Sequence, residues 1–382
     1  MSTVHTRQLF TVLVAASGLV LAACGDDDGT DDTSTQGSGA LQDVGVTGEF
    51  GDKPDLEIPD GDPSGELEVE VLVEGDGPEV AESDFVVANY LGQTWDERDG
   101  EEYVFDNSYD REQASGFSLN SVVDGWKQGL AGQKVGSRVL LSIPPELGYG
   151  EAEESQDGAE GSENGSGEGS EGGSEDGSGD GSQDGAAGGA EGSGEGSGAS
   201  SQHDLAGETL VFVVDIVENV APDAAATGAP AQDLPDDLPV VEGGETGPPE
   251  IDFGDAPEPE ETDATIILEG DGPEVSFESV DDGGEDGDAP ANPQAGPTVL
   301  VQMMEAPYPD GEGTQSTWEL QGPEQVPAQG LASLPGWDAI TDDLTVGSRV
   351  LTRISSEDAG AAAQGEEESP PLVLIVDVLA TF

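Results

Sequence analysis

Basic residues are scarce in this chain. Its 382 residues hold 9 Lys and Arg against 84 Asp and Glu, a formal net charge of −75. Such a field repels phosphate backbones, which excludes nucleic acid as a partner. Cysteine occurs once, at Cys24, so no disulfide can close within the chain. The two histidines, His5 and His203, have no Cys or His companions at ligand spacing, so neither a metal nor a metal cofactor is expected. Aromatic residues make up 5% of the chain, so a cluster of them is informative. No apolar run reaches the roughly 20 residues of a membrane-spanning helix.

The amino terminus holds a shorter apolar stretch. Arg7 precedes residues 9–21, and Leu21, Ala22, Ala23 and Cys24 follow. These are the proportions of a signal peptide over 1–23. Leu-Ala-Ala-Cys resembles a bacterial lipobox. The resemblance implies a diacylglyceryl group on Cys24, a lipid bilayer as partner, and a place on the extracytoplasmic face of the cell membrane. Two acyl chains anchor durably where one binds marginally. Residues 24–62 are rich in Gly, Asp, Ser and Thr and read as a disordered tether, spanning on the order of 35 Å.

Three more polar tracts follow, at 151–202, 222–263 and about 281–297. The first contains no Leu, Ile, Val or aromatic residue and has nothing with which to build a core. Its acids match no calcium-loop pattern. The sequence between the tracts is ordered. Leu67, Val69, Val71 and Val73 alternate with glutamates, which predicts a half-buried strand. Residues 85–90 and 138–143 read as further strands, and 210–217 as a fully buried one. Val122, Val123, Trp126 and Leu130 fall at helical spacing. Several strands and one short helix predict an α+β fold, an antiparallel sheet curled over that helix.

The chain repeats itself. Glu-Gly-Asp-Gly-Pro-Glu-Val begins at Glu74 and again at Glu269, and Val-Gly-Ser-Arg-Val-Leu begins at Val135 and again at Val346. Trp126 and Trp337 stand as far apart as Val135 and Val346. A long, shared offset points to two domains. The first copy is longer by about the length of the 151–202 tract, which places that tract in a loop between the last two strands.

Most of the informative aromatics lie in the first copy. Tyr90 stands in Asn-Tyr-Leu-Gly, and residues 103–111 bring Phe105, Asp106 and Arg111 together. Val122 and Val123 precede Gly125 and Trp126, Tyr149 closes Leu-Gly-Tyr-Gly, and Phe212 stands in Leu-Val-Phe. This order resembles the FKBP family of peptidyl-prolyl isomerases over residues 67–220, with the insert excluded. The resemblance implies an FKBP-like domain at 63–221, a linker at 222–263 and a degenerate FKBP-like domain at 264–382. It implies proline-containing polypeptides as substrates, no cofactor, and a chain that acts as a monomer.

The family pattern assigns Tyr90, Phe105, Trp126 and Phe212 to a dry pocket with Trp126 as its floor. The Val123 N–H and the Tyr149 hydroxyl would hold substrate carbonyls, beside Val122. Asp106 would accept hydrogen bonds from Tyr90 and Arg111. Ser115 stands where many relatives have a second Phe, and Val213 where an Asp is common. The loop over the pocket is remodelled, leaving Leu205 as its apolar residue. In the second copy Trp337 remains, but Gly360 replaces Tyr149, Leu374 replaces Phe212, and Met303 or Met304 falls near the place of Tyr90. That copy is expected to lack isomerase activity. A non-catalytic, peptide-binding envelope lipoprotein on the same scaffold is the alternative for the whole chain.

Overall fold

The stretch Leu210–Val214, in the strand Leu210–Val220, is apolar on both faces, and the architecture follows from covering both. Leu210, Phe212, Val214 and Ile216 enter one cluster, while Val211 and Val213 enter another. Alternate side chains leave a strand on opposite sides, so an unbroken apolar run needs two covers. The computed structural model describes residues 41–98, 100–111, 113–151, 205–244, 246–277, 296–320, 322–362 and 369–382. The expected signal peptide, Cys24, the expected tether up to residue 40 and residues 152–204 lie outside the described residues, as do 278–295.

In chain order the first lobe holds a hairpin, β1 (Gly45–Thr47) and β2 (Asp55–Glu57), and then β3 (Glu68–Val73), β4 (Phe85–Thr94), β5 (Val104–Asn107) and β6 (Ser115–Ser118). Helix α1 (Asp124–Leu130), β7 (Arg138–Ile143) and β8 (Leu210–Val220) complete it. The sheet is antiparallel in the order β3-β7-β8-β4-β5, with β6 also on β4. Helix α1 covers one face. Val123 turns the chain into it, and Trp126 and Leu130, four residues apart, share its buried side.

The other face is covered by residues the sequence reading assigns to the disordered tether. The structure corrects that boundary. Leu41, Val44 and Leu56 are buried with Leu91, Trp95, Leu140, Val211 and Val213, and β1 and β2 pair in register. Their apolar residues are too sparse among Gly, Pro and acids to register as a period. They suffice because the sheet supplies most of the apolar surface.

The linker at 222–263 needs the same correction. The second lobe starts there, with β9 (Ala229–Pro230), a hairpin of β10 (Val240–Gly243) and β11 (Pro249–Asp252), and β12 (Asp263–Glu269). Then come β13 (Thr298–Pro307), β14 (Gln315–Ser316), α2 (Thr317–Leu320), β15 (Glu324–Pro327), α3 (Ala328–Ala332), β16 (Arg349–Ile354), α4 (Ser356–Ala362) and β17 (Leu372–Thr381). The order β12-β16-β17-β13 parallels β3-β7-β8-β4, and β14 and β15 lie on β13 as β5 and β6 lie on β4. Val241, Ile251 and Phe253 pack on Val373 and Ile375, so this hairpin also covers the outer face of a central strand.

Each hairpin is held by a buried ion pair at the same place in its sheet. Arg138 Nε lies 2.6 Å from Asp215 Oδ1, and Arg349 Nε lies 2.6 Å from Asp377 Oδ1. Arg138 also donates to the carbonyls of Gly48 and Asp52 at 2.8 Å each. Arg349 does the same to Gly243 at 3.2 Å and Gly244 at 3.1 Å.

β3 departs from expectation. Val69, Val71 and Val73 are 40–42% exposed, so the strand is not half-buried. Among the described residues it is an edge strand paired with β7 alone, and its register shifts between Val71 and Val73. Alternation reveals a strand but not whether anything covers its apolar side.

Candidate active site

Five rings meet where β4, β5, β6, α1 and β8 converge. Tyr90, Phe105, Trp126 and Phe212 are each at least nine-tenths buried in one cluster, with Phe117 half-buried against it. Trp126 is the hub. Tyr90 meets it at 5.5 Å between ring centroids, Phe212 at 5.3 Å and Phe117 at 5.0 Å, all edge-on. Phe105 meets Phe212 at 5.5 Å in the same manner. Such pairs are worth roughly 0.5–1.5 kcal/mol each beyond area burial.

Gly92 makes this packing possible. A Cβ there would lie 2.6 Å from Phe212 and 2.8 Å from Phe105, so any other residue displaces a ring. Phe117 is absent from the motif reading. It follows Gly116 in a short strand of mixed polarity, and its pairing opposite Val86 shows that β6 joins β4.

A polar rim closes one side. Tyr90 donates its hydroxyl proton to Asp106 Oδ2. Arg111 donates to Asp106 Oδ1 at 2.8 Å, to the Tyr90 oxygen at 3.0 Å and to Ser115 Oγ at 3.3 Å. Ser115 thus extends this network. Burial pushes the Tyr90 phenol well above its usual range, the Asp106 carboxylate adds to the rise, and Arg111 opposes it. The Tyr149 phenol is also raised, first by burial and then by Asp106.

Val122, Val123, Leu147 and Tyr149 pack half-buried around the ring cluster, and Leu205 is buried within it. Val123 is the N-cap of α1, and its carbonyl accepts from the Trp126 N–H at 3.0 Å. All ten residues singled out in the sequence therefore fall in or beside one cluster or its rim. Among the described residues, no three His, Cys, Asp or Glu are grouped to hold a metal.

The second lobe has different side chains at these positions. Tyr90 pairs with Val214, just before Asp215, and Met303 pairs with Val376, just before Asp377. Met303, rather than Met304, therefore stands in the place of Tyr90. Gln315 opposes Glu305 where Asp106 opposes Gly92. Leu374 stands in the place of Phe212, three residues before the buried aspartate. Trp337 persists, fully buried, with its Nε1 donating to Thr352 Oγ1 at 2.9 Å. The buried Nε1 of Trp126 has no such partner among the described residues.

A family model described as FKBP-type peptidyl-prolyl cis-trans isomerase matches residues 77–217. A probable FK506-binding protein of Corynebacterium glutamicum is 40% identical over 99 residues, which is 26% of this chain and 80% of the relative. The chain belongs to the FKBP family. An FK506-binding protein of Streptomyces anulatus is 38% identical over 102 residues, 26% of this chain and 79% of the relative. The isomerase FkpA of Escherichia coli K12 is 42% identical over 86 residues, 22% of this chain but 30% of the relative. The first lobe is thus an FKBP-type isomerase domain, and its five-ring cluster lies inside the matched segment. Both hairpins and the second lobe lie outside it.

Proposed function

We propose that this chain is a lipid-anchored prolyl isomerase that assists the folding of exported proteins, with its chemistry confined to the first lobe. The observation that carries this reading is the ring cluster around Trp126 with polar groups at its rim. The barrier to rotation about a peptide bond, roughly 18–20 kcal/mol, comes from amide resonance. Twisting the bond removes that resonance and much of the amide dipole. A dry apolar wall favours the twisted form over the polar ground state, which is catalysis by desolvation. The proline ring rests on Trp126. The Val123 N–H and the Tyr149 hydroxyl hold the flanking carbonyls, and the Tyr90–Asp106–Arg111 network keeps the rim in place. Uncatalysed isomerisation takes on the order of 10–100 s, slow enough to limit folding.

The test is the rate of isomerisation of a proline peptide by the mature chain. Tyr149→Phe removes one hydrogen bond, worth about 0.5–1.5 kcal/mol net. The expected loss in kcat/KM is about 2- to 12-fold. Tight peptide binding without acceleration would replace this reading with that of a passive binder.

The pH dependence follows from the two phenols. Both are raised above their usual range, so both remain protonated donors as the solution becomes alkaline. The activity is expected to stay flat from neutral pH up to about pH 10, near the ordinary phenol value. A fall in kcat/KM centred near pH 8 would contradict the assignment.

The anchor rests on Cys24 and the apolar stretch before it. Among the described residues, no helix is long and apolar enough to cross a membrane. Cys24→Ala should move the protein from the membrane fraction to the soluble fraction without changing kcat/KM. The second lobe, with Met303, Gln315 and Leu374 at the positions of Tyr90, Asp106 and Phe212, is proposed to be a degenerate copy without isomerase activity.

A further inference from the structure

We propose that the second lobe braces β6, the strand that carries Phe117 into the prolyl pocket, and thereby sets substrate affinity in the first lobe. The inference rests on the isomerase reading for its functional consequence. β6 pairs with β4 along one edge. Its backbone also meets the second lobe, where Gln325 Nε2 of β15 donates to the Gly116 carbonyl at 3.1 Å. Just before β6, Gln113 Nε2 donates to the carbonyls of Phe382 at 2.9 Å and Gly296 at 3.1 Å.

Apolar contacts reinforce these bonds. Phe85, Val87 and Val220 of the first lobe share a buried cluster with Leu300, Leu379 and Ala380 of the second, with Phe382 packed against it. Gly116 sits between the rings of Phe85 and Phe382, where a Cβ would lie 2.6 Å from the first and 2.7 Å from the second. Successive residues of a strand face opposite ways. With Gly116 turned to Phe382, Phe117 is turned to Tyr90 and Trp126, which it meets at 5.5 and 5.0 Å. The contact that fixes Gly116 therefore orients Phe117. Ser115, in the same strand, receives Arg111 of the polar rim. The second lobe thus touches two successive parts of its neighbour's ring site: the approach to β6, at Gln113, and the strand itself, at Gly116.

Gln325 and Phe382 are positioning residues in this proposal, since neither touches the ring cluster. The experiment uses the mature full-length chain with Gln325→Ala, Phe382→Ala and the double variant. Two quantities are measured: kcat and KM on a proline peptide, and amide hydrogen exchange along β6 and β8. KM is expected to rise three- to ten-fold with kcat within two-fold of the parent. The double variant should fall short of the product of the single effects, because both act on one strand. Exchange at 115–118 should speed up at least ten-fold while β8 stays protected, and Phe382→Tyr should restore both readouts.

Unchanged KM in an active parent overturns the proposal, and so does unchanged exchange at 115–118. A proportional fall of kcat with loss of β8 protection also overturns it, since that marks general unfolding. An inactive parent would defeat the isomerase reading instead, leaving the exchange data to decide whether the brace exists.

Discussion

Asp215→Ala should lower the unfolding free energy of the first lobe by about 3–5 kcal/mol, the cost of leaving a buried cation without its partner. Arg138 and Asp215 are 1% and 0% exposed. The aspartate accepts from Arg138 at 2.6 and 2.7 Å, from the Gly51 N–H at 2.6 Å and from the Tyr109 hydroxyl at 3.0 Å. Removing it strands donors from β7, from the amino-terminal hairpin and from the turn that carries Arg111. A domain is typically stable by about 5–15 kcal/mol, so the loss takes a large share.

Urea unfolding measures the total, and hydrogen exchange locates it, with 45–57 expected to lose protection first. Asp110→Ala removes an exposed pair, Lys53 with Asp110. Its cost should be small beside that of Asp215→Ala, because water screens an exposed pair. Equal losses for the two variants would mean that the buried pair does not organise the lobe. Asp377→Ala is expected to act on the second lobe as Asp215→Ala acts on the first, since Asp377 likewise accepts from Arg349 and from the Ala226 N–H.

The elements legible in the sequence are those whose pattern is local. The run at 210–217 announces a strand buried on both faces, and the spacing of Trp126 and Leu130 announces the helix beneath it, although that helix begins only at Asp124, after Val122 and Val123. Tyr90, Phe105 and Phe212 lie far apart in sequence and would read singly as core. Their order along the chain, matched to a known family, placed them in one cluster. What stayed hidden depends on partners distant in sequence. The two hairpins carry few apolar residues, and their burial comes from sheet faces supplied by other segments. A composition dominated by Gly, Pro and acids says that a segment cannot form a core alone, but not that it cannot cover someone else's. Phe117 is hidden for a related reason, since its ring reaches Trp126 through a strand pairing that Ser-Gly-Phe-Ser does not advertise.

Trp126→Ala is the substitution expected to damage catalysis most, with a loss in kcat/KM of about 100-fold, equivalent to about 2.7 kcal/mol. The size follows from the contacts. Trp126 holds Tyr90, Phe117 and Phe212 edge-on, and three such contacts are together worth roughly 1.5–4.5 kcal/mol. Losing the indole also opens a cavity, at a typical stability cost of about 3–5 kcal/mol. Trp126→Phe separates the two effects, because it keeps an apolar floor and should cost activity closer to ten-fold in a folded lobe. The same variants bear on the second lobe. Trp337 is equally buried, yet its indole N–H is taken by Thr352 and its neighbours include Met303 and Leu374 rather than pocket rings. If that lobe turned over proline peptides, a full-length Trp126→Ala chain would keep a sizeable share of the parent rate. Collapse of the whole rate with one floor removed is what a single working pocket requires.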